Sequence, residues 1–327
     1  MIGAGIFGAT GYTGYELVKL LQRHPQVDVV FATSQSFAGQ KLSEVYPQAP
    51  HLPLILGEEA PLDAVDVVFL CLPHAAAAET AVLALAAGVT VIDLSADFRL
   101  KDAVTYAAWY DKAHPAPHLL ADAVYGLTEY TRDQLPGARL VATPGCYPTS
   151  ILLPLRPLLT ANLPITGPII ADAKSGISGA GRTPTQNTHF VEAHNNFSPY
   201  KIGRSHRHLP EIEQVMGWFR SDAPPLIFSP TCCRWSGHFV HNLCQLCRTR
   251  DAGGDTAVFH PTVRPRAIHL PAARWRAGHP GPCHPHQPLR HRPDAGREQP
   301  HHHLGHRQPY QRRGRTGSAK HECGVWA

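Results

Sequence analysis

Three glycines in the pattern G-x-x-G-x-x-G, Gly8, Gly11 and Gly14, separate an apolar run from a helical one and limit the folds open to this chain. Residues 2–8 (IGAGIFG) predict a short buried strand, and residues 15–23 predict a helix with Leu17, Leu20 and Leu21 on one face. A strand that passes through glycines directly into a helix opens a βαβ unit. Residues 27–32, 65–72 (VDVVFLCL), 89–94 and 140–142 are further apolar runs, suited to parallel strands buried on both faces. The alanine-rich residues 75–87 read as a helix stopped by Gly88. Strands alternating with helices predict an α/β fold built on a doubly wound parallel sheet. After residue 146 the pattern restarts: 151–159 opens a second region, 168–173 reads as a strand, and 209–218 as a helix entered through Pro210. From about residue 231 onward neither an amphipathic helix nor a convincing strand is legible.

Composition breaks near the same place. Residues 237–327 hold 14 Lys and Arg against 5 Asp and Glu, and 13 of the 22 histidines; residues 1–236 hold 16 against 20. The overall charge of +5 comes from the C-terminal stretch, and the mildly acidic remainder argues against nucleic acid as a partner. Cys71, Cys146, Cys232 and Cys233 have no framework spacing, so a reducing, cytoplasmic setting is expected. Cys244 and Cys247 form a lone C-x-x-C, and no metal site is expected. No run approaches the roughly 18 apolar residues of a membrane helix. The short opening apolar run lacks the basic flank of a signal peptide. At 327 residues there is room for two domains.

The glycine spacing carries a chemistry. Gly8 makes the tight turn off the strand, Gly11 lets backbone amides approach a pyrophosphate, and Gly14 lets helix and strand pack closely with the phosphates at the helix N-terminus. Gly8, Ala9, Thr10, Gly11, Tyr12, Thr13 and Gly14 are therefore read as cofactor-binding. The alternative is a purely structural turn; a position between strand and helix favours the nucleotide. A site for NAD places a carboxylate at the end of the second strand. Asp28 has the right count but opens that strand, whose end reads Thr33-Ser34-Gln35. Neutral Ser34 and Gln35 accept a 2′-phosphate without repulsion, so NADP, used as NADPH, is expected.

Cys146 stands in TPGCYPT, residues 143–149, after a strand and at a Gly/Pro turn, with Thr149 and Ser150 placed to cap a helix. A thiol at a helix N-terminus has its thiolate favoured by the dipole. Cys71, inside an apolar strand, reads instead as a small hydrophobe. A nucleophilic thiol needs a base or imidazolium partner. The candidates are His206 and His208 in SHRHLPE, residues 205–211, and at least one is expected to be only a packing or surface residue. AKSGISGAGR, residues 173–182, is rich in glycine and small hydroxyls and bracketed by Lys174 and Arg182, which suits an anion site. Its plain alternative is a flexible loop.

Together these pieces resemble the N-acetyl-gamma-glutamyl-phosphate reductase family. The resemblance rests on GATGYTGYELVKLL at 8–21, LSADFRL at 94–100, YGLTE at 125–129, TPGCYPT at 143–149, AKSGISGAGR at 173–182 and HRHLPEIEQ at 206–214, and covers residues 1 to about 230. It implies a dinucleotide-binding Rossmann domain at 1–146 and a glyceraldehyde-phosphate-dehydrogenase-like α/β catalytic domain at 147–230, completed in the family by a helix that returns to the first domain. It implies that Cys146 attacks the acyl phosphate of N-acetylglutamyl 5-phosphate and that NADPH reduces the resulting thioester to the 5-semialdehyde, in arginine biosynthesis. His208 becomes the acid–base group, oriented by Glu211 and Tyr200, with His206 as second candidate. Ser175, Ser178 and Arg182 are placed on the substrate or its phosphate, and a homo-oligomer is implied. The alternatives are a related semialdehyde dehydrogenase, an aminoadipyl-phosphate reductase, or a non-catalytic dinucleotide-binding remnant with a basic interaction tail.

The resemblance stops near Pro230, and residues 231–327 read as an out-of-frame product. Written as permissible codons and moved one base forward, residues 237–247 allow GILSTIYVNF, a family-like strand, and residues 298–326 allow a family-like C-terminal segment. The alternative is a genuine His/Arg/Pro-rich tail that binds metal or RNA. The expectation is an aberrant, disordered tail that truncates the catalytic domain, compromises the assembly surface and impairs the reductase.

Overall fold

The strand that opens the chain, β1 (Ile2–Phe7), runs through the glycines into α1 (Tyr12–Leu21). This is a computed structural model; it describes residues 1–161, 163–165, 167–233 and 238–243, with Cys233 and residues 238–243 described by backbone alone. Gly8 takes φ +79°, and a Cβ there would lie 2.5 Å from the Cys71 carbonyl oxygen. A Cβ on Gly14 would lie 2.3 Å from the Gly8 carbonyl oxygen, so α1 packs on the end of β1 at backbone contact. That contact sets the buried face of α1. It runs through Gly14, Val18 and Leu21, while Leu20, expected inside, is exposed, and the helix starts at Tyr12 rather than at residue 15.

The chain continues through β2 (Val27–Thr33), α2 (Leu42–Val45), β3 (Leu54–Ile55), β4 (Val67–Leu70), α3 (Ala76–Ala86), β5 (Thr90–Asp93), α4 (Ala103–Tyr110), β6 (Val124–Tyr125), α5 (Thr128–Thr131) and β7 (Leu140–Ala142). These strands form one sheet in the order β3-β2-β1-β4-β5-β7-β6, every neighbouring pair parallel. Ala4 and Ile6 face one side with Val18, Leu42 and Leu54; Phe7 faces the other with Phe31, Val68 and Leu70. Both faces are covered, which is why the strands read as continuous apolar runs. The winding reverses between β1 and β4, and ligands bind outside the carboxyl ends of the strands at such a reversal.

The second sheet is built from α6 (Cys146–Thr160), β8 (Ile169–Gly176), α7 (Phe190–Ala193), β9 (Phe197–Pro199), α8 (Leu209–Phe219), β10 (Leu226–Cys233) and β11 (His238–Leu243). Its order is β11-β8-β10-β9, with β8 and β10 parallel and both outer pairs antiparallel. Ile151, Leu152, Leu155 and Leu159 of α6 and Leu209, Ile212, Val215 and Met216 of α8 bury against Ile169, Ala171, Leu226 and Phe228. Each such side chain contributes about 1.5–3 kcal/mol when fully buried. The doubly wound sheet joined to a second α/β layer is the fold expected from the sequence.

Two further expectations are corrected. The helix expected from residue 151 begins at Cys146, so Thr149 and Ser150 lie inside it rather than capping it. Strand structure also continues past residue 231. β10 runs to Cys233, and β11 pairs with β8 from His238↔Ser175 to Leu243↔Ile170. Without β11, that edge of β8 would present a row of unpaired backbone groups, and ladder bonds ask little of side-chain pattern. β11 falls where the shifted reading also gives a strand. The expectations for residues 244–327, including disorder and a returning helix, lie outside the described residues. Among those described, no helix is long and apolar enough to cross a membrane.

Candidate active site

Two helix N-termini build the site. Residues 143–145 carry the chain from β7 into α6, whose first residue is Cys146, with Gly145 as N-cap and no side-chain cap bond. Thr149 Oγ1 donates back to the Gly145 carbonyl at 2.9 Å and Ser150 Oγ to the Cys146 carbonyl at 3.0 Å. The first-turn N–H groups are thus left to the thiol. Cys146 is exposed at the surface, yet desolvation by the flanking protein raises its pKa above the usual thiol value. The N–H groups of Tyr147 and Cys146 and the Arg99 guanidinium pull the other way without overcoming it. The sequence expectation of a dipole-favoured thiolate therefore meets a stronger opposing effect, and the thiol needs a base.

α8 supplies that surrounding. His208 sits at its N-cap and Glu211 in its first turn. Glu211 is 1 % exposed; its Oε1 accepts from the Gly145 N–H at 2.9 Å and from the Tyr125 hydroxyl at 2.8 Å. Its Oε2 lies 3.5 Å from Arg99 Nη1. Arg99 in turn donates from Nε to the Thr143 carbonyl at 2.8 Å and from Nη2 to the Leu94 carbonyl at 2.9 Å. Burial works against its charge most strongly of any single effect, but Glu211, Tyr110, Asp93 and Tyr125, with Glu211 foremost, together outweigh burial and raise its pKa. The pair thus fixes the turn immediately before Cys146. Removing one partner of a buried pair costs about 3–5 kcal/mol, because the other charge is stranded. A Cβ on Gly145 would lie 2.8 Å from His208 Nε2 and 2.9 Å from Arg99 Nη1, so only glycine lets imidazole and guanidinium press on the residue beside Cys146.

His206 has different surroundings. Its ring packs among Tyr147, Tyr200 and Phe228, and its Nδ1 accepts from the His208 N–H at 3.1 Å. Desolvation, with Lys201 and Arg207 adding to it, pushes its pKa down to about 4, so it is neutral near pH 7. Tyr200 places its hydroxyl 3.0 Å from that of Tyr147. Asp93, at the end of β5, is fully buried, accepting from the Ser95 N–H and Oγ, each at 2.8 Å. Asp97 accepts from the N–H groups of Ala75 and Ala78 at the start of α3 and from the Tyr106 hydroxyl.

The nucleotide half lies at the winding reversal. Gly11 caps α1 without a side-chain bond, there is no carboxylate in the first turn, and a Cβ on Gly11 would meet only the Gly8 carbonyl oxygen, at 3.6 Å. The helix terminus with Tyr12, Thr13 and Gly14 is open to an anion. Thr33 Oγ1 accepts from the Gly8 N–H at 3.2 Å, and the Thr10 and Ser34 hydroxyls lie 2.8 Å apart. Ala9 and Ser34 are buried; Gln35 is exposed. These residues suit a dinucleotide: a tight glycine turn, uncapped N–H groups and no repelling carboxylate.

The stretch read as one anion loop is divided. Ser175 is buried in β8 beside Tyr147, Ser178 is exposed on the following turn, and Arg182 reaches the glycine loop, donating to the Thr10 carbonyl at 3.2 Å. Sequence reasoning assigned no role to Arg99 or Tyr125, although both lie in strings quoted for the resemblance. The available signal was a tyrosine at the end of a short apolar strand and an arginine in the polar turn after β5, each a polar group that needs a partner once buried.

Two family models match: "Semialdehyde dehydrogenase, NAD binding domain" over residues 3–138, and "Semialdehyde dehydrogenase, dimerisation domain" over residues 146–249. The chain is 49 % identical over 232 residues to the N-acetyl-gamma-glutamyl-phosphate reductase of Symbiobacterium thermophilum, covering 70 % of this chain and 67 % of that protein. It is 46 % identical over 233 residues to the reductase of the same name from Thiobacillus denitrificans, covering 70 % and 68 %. With that of Ectopseudomonas mendocina it shares 51 % over 218 residues, 65 % and 63 % of the two chains, so the match spans about two thirds of these relatives. Among solved structures, aspartate semialdehyde dehydrogenase II from Vibrio cholerae superposes with TM-score 0.55 at 20 % identity, covering 75 % of this chain and 74 % of that one. The Candida albicans enzyme gives 0.54 at 16 % identity, covering 77 % and 74 %; these two show the fold. With its parallel sheet, its second α/β layer and its identity to these relatives, the chain belongs to the N-acetyl-gamma-glutamyl-phosphate reductase family.

Proposed function

We propose that residues 1–145 bind NADPH and that Cys146 and residues 147–230, with Arg99 reaching in from the first region, carry the reductive dephosphorylation of N-acetylglutamyl 5-phosphate, a small-molecule acyl phosphate, to its 5-semialdehyde. The observation that carries this reading is Cys146 at the first position of α6, with His208 Nε2 and Arg99 Nη1 both within contact of Gly145. His208 is assigned the proton, because His206 has its Nδ1 engaged and its protonated form disfavoured. Cys146 Sγ attacks the acyl carbon, the C–O bond to phosphate breaks, phosphate leaves and His208 takes the thiol proton. NADPH, when bound at the glycine loop, supplies the hydride that reduces this thioester. The C–S bond then breaks, releasing the aldehyde, and His208 returns its proton to the thiolate. Arg99 and the N–H groups of α6 favour negative charge beside Cys146, on the thiolate and on the carbonyl oxygen. Glu211 positions the turn through Gly145. Tyr200 acts through Tyr147 and His206, and Ser175 and Ser178 remain the substrate-side hydroxyls. The neutral end of β2 supports NADP over NAD, and the Candida albicans enzyme of the same fold was solved with NADP.

Residues 231–327 belong to the same reading as an out-of-frame segment that lowers activity. The test uses a chain re-encoded in the shifted frame from residue 237. Cys146→Ser in it is expected to lower kcat at least about a thousandfold while leaving NADPH affinity unchanged. Near-normal turnover by the serine variant would remove the thioester route.

A further inference from the structure

Arg182 stands 172 positions beyond Thr10 in the chain, yet its Nη1 donates to the Thr10 carbonyl at 3.2 Å. Its guanidinium lies 4.9 Å from the centre of the Tyr46 ring and 5.1 Å from that of Phe37. Tyr46 is itself tied to the glycine loop, its hydroxyl donating to the same Thr10 carbonyl at 2.9 Å. Thr10 and Ser34 share a hydroxyl contact of 2.8 Å, so the guanidinium stands beside the junction of the glycine loop and the end of β2. In sheets of this winding, that junction faces the ribose 2′ position of a bound dinucleotide. Residues 33–40 contain neither a carboxylate nor a cation, so the segment that ordinarily reads the 2′ substituent supplies no charge of its own.

An arginine seated by its face on aromatic rings keeps the N–H edge of its guanidinium for anions. One N–H serves Thr10; among the described residues no carboxylate pairs with this guanidinium. We infer that Arg182, delivered from the loop after β8, recognises the 2′-phosphate of NADP together with Thr10 and Ser34, rather than the phosphate of the acyl substrate. The inference rests on the functional reading above. It gives the catalytic region a direct hold on the cofactor's adenosine end, and locates the preference for NADP in a residue outside the glycine-loop unit.

The test is calorimetric titration of the purified full chain with adenosine 2′,5′-bisphosphate and with 5′-AMP, which differ only in the 2′-phosphate. The wild-type chain is expected to prefer the bisphosphate. Arg182→Leu is expected to lose about ten- to hundredfold of affinity for it, the worth of a charge-assisted bond, and to leave 5′-AMP unchanged. Arg182→Lys is expected to recover part of the loss. A leucine variant that keeps the full preference overturns the inference and leaves the functional reading standing. Equal losses for both probes overturn it too, since Arg182 would then support the adenosine rather than its phosphate. A wild-type chain that binds neither probe, or both alike, contradicts the NADP reading itself, and this inference with it.

Discussion

Glu211 touches three parts of the chain at once: the turn before Cys146, the end of β6 through Tyr125, and Arg99 after β5. Cys146 and the pair His206 and His208 stood out in the sequence because candidate nucleophiles and bases belong to few residue types and mark glycine- or proline-rich turns, while the choice of His208 over His206 came only from the family resemblance. Glu211 was legible only through family resemblance, and Arg99 not at all as a positioning residue, since the partners of a buried charge are set by tertiary packing. Asp93 is a buried carboxyl whose proton the native fold holds tightly. Desolvation raises its pKa from 3.8 to about 6, against the two Ser95 hydrogen bonds that lower it. The native carboxyl therefore holds its proton more tightly than the unfolded one. The stability this contributes is present below pH 3.8 and is lost as pH rises through about 6. Asp93→Asn keeps the shape without the charge. Its stability relative to wild type is expected to rise between about pH 4 and pH 7 by about 2–3 kcal/mol and then level off, as read by denaturant unfolding across that range. A difference independent of pH would show that Asp93 is not desolvated in the native fold.

At the scale of elements, strands were easier to read than helix starts. A parallel strand buried on both faces announces itself by apolar content, whereas α1 and α6 begin before their apolar residues do. In both, the first turn is entered through glycine and holds few aliphatic side chains: α1 starts at Tyr12 after Gly11, and α6 starts at Cys146 after Gly145, with only Tyr147 and Pro148 buried before Ile151. β11 escaped reading because ladder pairing with β8 supplies what its mixed sequence does not. Two glycines separate contact from propensity. Gly14→Ala places a Cβ 2.3 Å from a backbone oxygen that cannot move aside, and is expected to destabilise the chain by about 3 kcal/mol and weaken NADPH binding. Gly217 lies in α8, where an added Cβ would meet nothing within 4 Å, so Gly217→Ala is expected to stabilise by about 0.5–1 kcal/mol. Thermal unfolding of the two variants side by side reads both signs; a tolerated Gly14→Ala would contradict the close docking of α1 on β1.

For the whole molecule, the proposed reaction divides between two regions. In it the glycine loop and the end of β2 take the cofactor, while α6 and α8 bring together the thiol, the imidazole and Glu211, which Arg99 meets from after β5. The first half of the proposed chemistry, acyl transfer from phosphate to sulfur, calls only on the second group of residues, all of them within the segment that resembles its relatives. It is therefore expected without the cofactor and without the segment beyond residue 243. The measurement is peptide-resolved mass spectrometry of the chain after exposure to N-acetylglutamyl 5-phosphate in the absence of NADPH. The predicted result is an N-acetylglutamyl thioester on Cys146, cleaved by hydroxylamine and absent from Cys146→Ser. Release of phosphate with Cys146 unmodified, or an adduct on Cys71 or Cys232 instead, would contradict the thioester route.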